Sequence, residues 1–93
     1  MEFDWDRGNA VKVTKHGLTR EAIEGFFRLR PRVAPDPAHS QVEQRFIAVG
    51  PTEQGRLAFV GFCWRDGRIR PISARYMHTR EVRRYEDRAQ DDE

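Results

Sequence analysis

A single cysteine, Cys63, leaves the chain without an intrachain disulfide and without a cysteine set for a metal, which points to a reducing compartment, the cytoplasm. No apolar run approaches the roughly 20 residues of a membrane-spanning helix, and residues 1–6 are acidic with no apolar stretch. Neither a membrane partner nor an export signal is therefore expected. The three histidines, His16, His39 and His78, lack the spacing of a zinc-binding pair, which argues against a zinc site. A helix-turn-helix, a zinc finger and an RNP-type aromatic motif are also missing, so the common nucleic-acid-reading modules do not apply. At 93 residues the chain has room for one core and none for separate substrate and regulatory domains.

Arginine is what the chain has in excess. Between residues 65 and 85 stand Arg65, Arg68, Arg70, Arg75, Arg80, Arg83 and Arg84, against only Asp66 and Glu81. A guanidinium presents a planar fork that grips two phosphate oxygens at once, so such density suggests a surface for a nucleic-acid backbone. The ordinary alternative is a solvated amphipathic strand and helix. Net charge is only +2, the difference between 17 basic and 15 acidic residues, so distribution matters more than the sum. Acidic residues gather at the C-terminal end, which divides the chain into one domain over residues 1–88 and an acidic flexible tail over 89–93. Hydrophobic residues make up 38%, sufficient for a small core.

Local signals order the elements. Phe3 and Trp5 alternate with Asp4 and Asp6, the period of a short edge strand. Asp6 is placed to cap a helix from Arg7, with Ala10, Val11 and Thr14 on one face and Gly17 as its left-handed stop. Leu18 and Ile23 bracket Thr19 as a staple around an N-cap, so a second helix follows and buries Ala22, Ile23, Phe26 and Phe27. Pro31, Pro35 and Pro37 keep any strand near Val33 brief. Residues 44–50 and 57–64 are β-branched and aromatic runs flanking a hairpin-length loop, and the second is apolar on both faces, hence central. Asp66-Gly67 turns the chain into a returning strand over 68–75. Thr79 then caps a final helix with Val82, Tyr85 and Ala89 on one side and Arg80, Arg83 and Arg84 towards solvent. The expected order is β-α-α-β-β-β-β-α, an α+β domain with its helices mostly on one face of a small antiparallel sheet.

Several short motifs stand along this order: Phe3-Asp4-Trp5-Asp6, Lys15-His16-Gly17, Asp36-Pro37-Ala38-His39, Glu43-Gln44-Arg45-Phe46, Ile47-Ala48-Val49-Gly50 and Ile72-Ser73-Ala74-Arg75, followed by Glu81 and Tyr85. In sequence and spacing, over nearly the whole chain from residue 3 to about 86, they resemble the BrnT family of bacterial toxins. The resemblance implies a RelE-like endoribonuclease of a type II toxin–antitoxin pair that cleaves RNA and stops translation, with no metal and no organic cofactor. It also implies a small antitoxin partner, BrnA, with a ribbon-helix-helix DNA-binding domain, and a joint complex that meets operator DNA through the antitoxin. Three positions depart from the family pattern. Lys12 stands for a usual Asn, Pro71 for an apolar β-branched residue and Trp64 for a polar one. Pro71 cannot donate a ladder hydrogen bond, so its strand should kink or lie at an edge, which bears on the aim of Arg70 and Ser73.

RNA cleavage without a metal needs a base for the 2′-hydroxyl, positive charge for the phosphorane and an acid for the departing 5′-oxygen. Arg65, Arg70 and Arg75 are candidates for the charge, or else structural partners of Glu43 or Asp66. His16 is a candidate acid or base, since imidazole titrates near neutrality, or else a cation complementing a helix C-terminus. Glu43 is a candidate base, with the holding of an arginine the commoner role. Tyr85 can bring a phenol to the site or pack in the core. Lys15, Arg45, Arg68, Arg80, Arg83 and Arg84 are candidate RNA contacts, and His39 and His78 rank lower, as loop residues. A catalytically silent interaction module and an RNA-binding domain without chemistry fit the same composition.

Overall fold

In the computed structural model, which describes residues 1–91, the element order is α-α-β-β-β-β-α. Helix α1 spans Arg7–Val13 and continues as a 3₁₀ turn over Thr14–His16. Its start is a capping box, in which the Asp6 carboxylate accepts from the Asn9 N–H and the Asn9 side chain accepts from the Asp6 N–H. Its end is Gly17, whose φ of 101° suits a residue without Cβ. Helix α2, Arg20–Arg28, begins as expected: the Thr19 hydroxyl accepts from the Ala22 N–H, and Leu18 and Ile23 are both buried.

The facing of α1 differs from the expected one. Val11 is 69% exposed, while Val13 and Asn9 are buried. Asn9 donates from its amide nitrogen to the Asp4 carbonyl and to the Pro71 carbonyl, each at 3.0 Å, and this turns the Asn9–Val13 side of the helix inward. In α2, Ile23, Phe26 and Phe27 are buried and Ala22 only half-buried. Phe27 sets its ring edge-on to Phe26 and Phe62, with centroids 5.3 and 5.2 Å away, which ties this helix to the sheet.

Four strands form one antiparallel sheet in the order β1 (Arg32–Pro35), β2 (Phe46–Pro51), β3 (Leu57–Arg65), β4 (Arg68–Tyr76). Strand β3 is paired on both sides, and Asp66 and Gly67, with φ of 53° and 75°, make the tight turn into β4. The N-terminal segment does not add a fifth strand. Phe3 forms one isolated parallel bridge to Ile69, and the chain then turns away because Asp6 must cap α1. Phe3 and Trp5 still pack against the core.

Core residues lie on one sheet face, where Ala48, Ala58, Val60, Phe62, Ile69 and Ala74 meet Val13, Leu18, Ile23, Phe26 and Phe27 from the first two helices. The C-terminal helix α3 (Thr79–Asp91), expected beside them, lies on the opposite face. Arg75 and Arg32, in register with Phe59 and Val49 on that second face, reach Glu81 and Tyr85 of α3. On that side of the sheet Val82, Tyr85 and Ala89 of α3 are half-buried. Thr79 is the first helical residue rather than the cap. His78 stands just before it in the cap position: its carbonyl accepts from the Val82 N–H, and its own N–H donates to Glu81. Of the acidic tail expected over 89–93, residues Ala89 to Asp91 belong to the helix, and Asp92 and Glu93 lie outside the described residues.

Pro71 is accommodated as its chemistry requires. It lies on edge strand β4 beside a register shift: Phe62 pairs with Pro71 but Gly61 with Ser73, so Ile72 is an extra residue. Its buried carbonyl is the one Asn9 holds. None of the described helices is long and apolar enough to cross a membrane.

Replacing Asn9 by Ala should leave the Asp6 N–H and the Asp4 and Pro71 carbonyls without this partner and cost about 2–3 kcal/mol. Urea unfolding checks this, and a loss below about 0.5 kcal/mol would contradict the pinning role.

Candidate active site

The second sheet face carries a cleft of about 560 Å³. Its floor is strand residues Ile47, Phe59, Gly61 and Ser73. A Cβ on Gly61 would stand 2.7 Å from Ser73 Oγ, so this glycine makes space for the hydroxyl on the floor. From the β4 side, the 3₁₀ turn after α1 packs against the strand and brings His16, with Lys12 one helical turn earlier. From the β1 and β2 side come Asp36, His39 and Arg45, and α3 contributes Glu81.

The Asp36–Arg45 loop is closed by a chain of hydrogen bonds. The Asp36 N–H donates to the Arg45 carbonyl at 2.8 Å, the Ser40 hydroxyl donates to the Asp36 carbonyl at 2.6 Å, and the Arg45 N–H donates to Ser40 Oγ at 2.9 Å. This closes the loop that carries His39 and ends at Arg45, both of which line the cleft. His39 Nδ1 lies 2.8 Å from Asp36 Oδ2. Arg45 pairs with no carboxylate among the described residues.

Arg75 is held differently. Its two terminal nitrogens donate to the two Glu81 oxygens at 2.9 and 2.8 Å, and its carbon lies 4.7 Å from the centroid of the Phe59 ring. The guanidinium, and next the His78 N–H, draw the Glu81 carboxyl from an ordinary 4.5 down to about 2. This bidentate pair ties α3 to the sheet across the mouth of the cleft.

The remaining candidates lie elsewhere. Arg65 donates to both Glu43 oxygens at 3.4 Å, a surface ion pair beyond the cleft. Glu43 lines a smaller hollow of about 140 Å³ together with His39 and Arg45. Arg70, its side chain 12% exposed, donates to Asp6 at 3.0 and 3.3 Å and reaches Asp4 at 3.5 Å, so it anchors the N-terminal segment. The hydrogen bond from Arg70, and next that from the Asn9 backbone, holds Asp6 below the usual carboxylate range. Arg68 pairs with Glu2 at 3.3 Å. Lys15, Arg80, Arg83, Arg84 and His78 are exposed outside the cleft, and Tyr85 sets its ring 6.0 Å from the Arg32 guanidinium. Cys63 is a buried free thiol, pushed up by burial and then by Glu43.

The cleft therefore gathers His16, Arg45, Arg75 and the lower-ranked His39 from the sequence candidates, and adds Asp36, Lys12 and Ser73, to which the sequence reading gave no site role. The motif Asp36-Pro37-Ala38-His39, an Asp three residues before a His, was the available signal for pairing Asp36 with His39. A family described as "Ribonuclease toxin, BrnT, of type II toxin-antitoxin system" matches residues 5–81. The chain belongs to this BrnT family. The match spans every cleft residue from Lys12 to Glu81 and ends before Arg83, Arg84 and Tyr85. No curated protein matches the chain. A BrnT toxin of a type II pair has an antitoxin as its partner.

The Glu81 carboxyl is depressed in the folded protein, so its bond to Arg75 contributes fully above about pH 4.5 and is lost as pH falls towards 2. An NMR titration of the Glu81 side chain should place its midpoint near 2, with α3 amides losing exchange protection over the same range. A midpoint at the ordinary 4.5 would contradict the clamp.

Proposed function

We propose that this chain is a RelE-like, metal-independent endoribonuclease whose cleavage of RNA stops translation, and that a BrnA-like antitoxin with a ribbon-helix-helix domain neutralises it. The observation that carries the proposal is the meeting of two guanidiniums and an imidazole over a partly apolar floor, in a chain of the BrnT family. The antitoxin in turn carries the complex to operator DNA.

In-line attack of the 2′-oxygen builds negative charge on the phosphorane, and Arg45 and Arg75 are the groups placed to neutralise it. Arg45 is available at once. Arg75 must exchange the Glu81 carboxylate for a phosphate, which has the same two-oxygen geometry. Phe59 then offers its ring to the ribose or base beside that phosphate. His16 supplies an imidazole for proton transfer, and Lys12 adds charge at the same wall. Arg65 with Glu43, Arg68, Lys15 and the arginines of α3 serve as docking contacts for the flanking backbone, where each contributes little and is weakened by salt. Arg70 and Tyr85 act on the scaffold rather than on the phosphate.

Purified protein incubated with RNA in EDTA should cleave it, and Arg75→Ala or Arg45→Ala should slow cleavage by about 10²–10³-fold. Arg75→Lys should not restore it, because an ammonium has no fork. Intact RNA in the presence of folded wild-type protein would refute the enzyme reading, and binding without cleavage would instead favour a silent RNA-binding module. Expressed without its antitoxin, the wild type should arrest bacterial growth and Arg75→Ala should not.

A further inference from the structure

The cleft holds a second imidazole for which the reading above has no part. His39 ends a one-turn 3₁₀ helix, Pro37–His39, with its side chain 68% exposed at the rim. Asp36, 15% exposed, holds the ring through its Nδ1 at 2.8 Å and makes no capping bond to the turn. A carboxylate can only accept, so Nδ1 carries the hydrogen and Nε2 of the neutral ring keeps its lone pair. Asp36 is itself fixed at both backbone ends by the bonds to Arg45 and Ser40. This is the arrangement in which a carboxylate selects an imidazole tautomer and stabilises the imidazolium that forms.

Position supports a role in the reaction. His39 and Arg45 line both the main cleft and the smaller hollow beside it, so a strand crossing from one to the other passes over them. His16 enters the same cleft from the opposite edge of the sheet: its turn packs on β4, whereas the turn bearing His39 follows β1. Two imidazoles thus approach one cleft from two sides, as a reaction with one proton taken and one given requires.

We propose that His39, oriented by Asp36, is the base that takes the 2′-hydroxyl proton, and that His16 is the acid for the leaving oxygen. This rests on the ribonuclease reading of the cleft. As the 2′-oxygen bonds to phosphorus, its proton passes to His39 Nε2. The bond from phosphorus to the 5′-oxygen breaks with its electron pair on oxygen, and His16, starting as imidazolium, protonates that oxygen. The products are a 2′,3′-cyclic phosphate and a free 5′-hydroxyl. His39 is left as imidazolium beside the Asp36 carboxylate and His16 neutral, and exchange with water resets both. Asp36 is a positioning residue.

The test uses the full chain and an oligoribonucleotide at the position the wild type cuts, with either the natural 5′-oxygen or a 5′-sulfur, a leaving group that needs no acid. His39→Ala should slow both substrates by about 10²–10⁴-fold. His16→Ala should slow the oxygen substrate by a similar factor and regain most of its rate on sulfur. Asp36→Asn should lower kcat with KM within about twofold, and Asp36→Glu should restore part of it. Each variant should bind the uncleavable 2′-deoxy analogue as the wild type does, which separates chemistry from folding. A His39→Ala rate equal to wild type on the oxygen substrate overturns the proposal, as does a loss that disappears on sulfur. A wild type that leaves RNA whole overturns instead the ribonuclease reading on which it rests.

Discussion

One buried carboxamide organises the molecule. Asn9 accepts the Asp6 N–H, closing the cap of α1, and donates to the carbonyls of Asp4 and of Pro71, 62 positions away. Helix start, N-terminal segment and edge strand are joined by this side chain, and its bond to the buried Pro71 carbonyl satisfies a backbone group that burial would otherwise make costly. The consequence for function is geometric. Because Asn9 fixes how α1 sits on β4, it fixes where the turn at the end of α1 delivers His16, and hence which strand residues His16 faces.

The sheet divides labour between its faces. One face is closed by α1 and α2 over aromatic and aliphatic side chains and supplies stability. The other receives α3 through polar and ring contacts, Arg75 with Glu81 and Arg32 with Tyr85, and leaves a cleft between helix and strands. A cover held by an exposed ion pair is weakly fastened, which suits the face proposed to admit RNA. The extra residue Ile72 matters here. In an unbroken strand Arg70 and Arg75 would point to opposite faces, but with Ile69, Pro71 and Ala74 buried in steps of two and then three, both arginines leave the core on the same side. Asp6 and Asp4 then occupy Arg70, while Arg75 remains at the cleft mouth.

Features set by neighbours within a few residues were legible in the sequence. The caps at Asp6 and Thr19, the stop at Gly17, the Asp66-Gly67 turn and the centrality of residues 57–64 all depend on short-range chemistry. Features set across the chain were not. Phe3 and Trp5 have a strand's alternation, yet the helix cap beside them ends the pairing after one bridge. Val11 outranks Asn9 by hydrophobicity, and nothing local announces that a distant proline carbonyl draws Asn9 inward. The side of the sheet that α3 takes is likewise decided by Arg75 and Glu81 meeting, not by either residue's surroundings in sequence. For the site, arginine density marked β4 but could not say which guanidiniums were already engaged by Asp6, Glu43 or Glu2. The family motifs held His16, Asp36, His39, Arg45 and Arg75, and folding brought all five to one cleft.

The central claim is that RNA lies in the cleft between α3 and the second sheet face, with a phosphate taking the place of Glu81 on Arg75. Amide and arginine side-chain NMR during titration with an uncleavable 2′-deoxy oligonucleotide tests it directly. The cleft reading predicts saturable shifts at Gly61, Ser73, Arg45 and the Arg75 guanidinium, with the Glu81 carboxyl returning towards its ordinary pKa as its partner is taken. Shifts confined to Arg80, Arg83 and Arg84 on the outer side of α3, with the Arg75 bond to Glu81 intact, would contradict it.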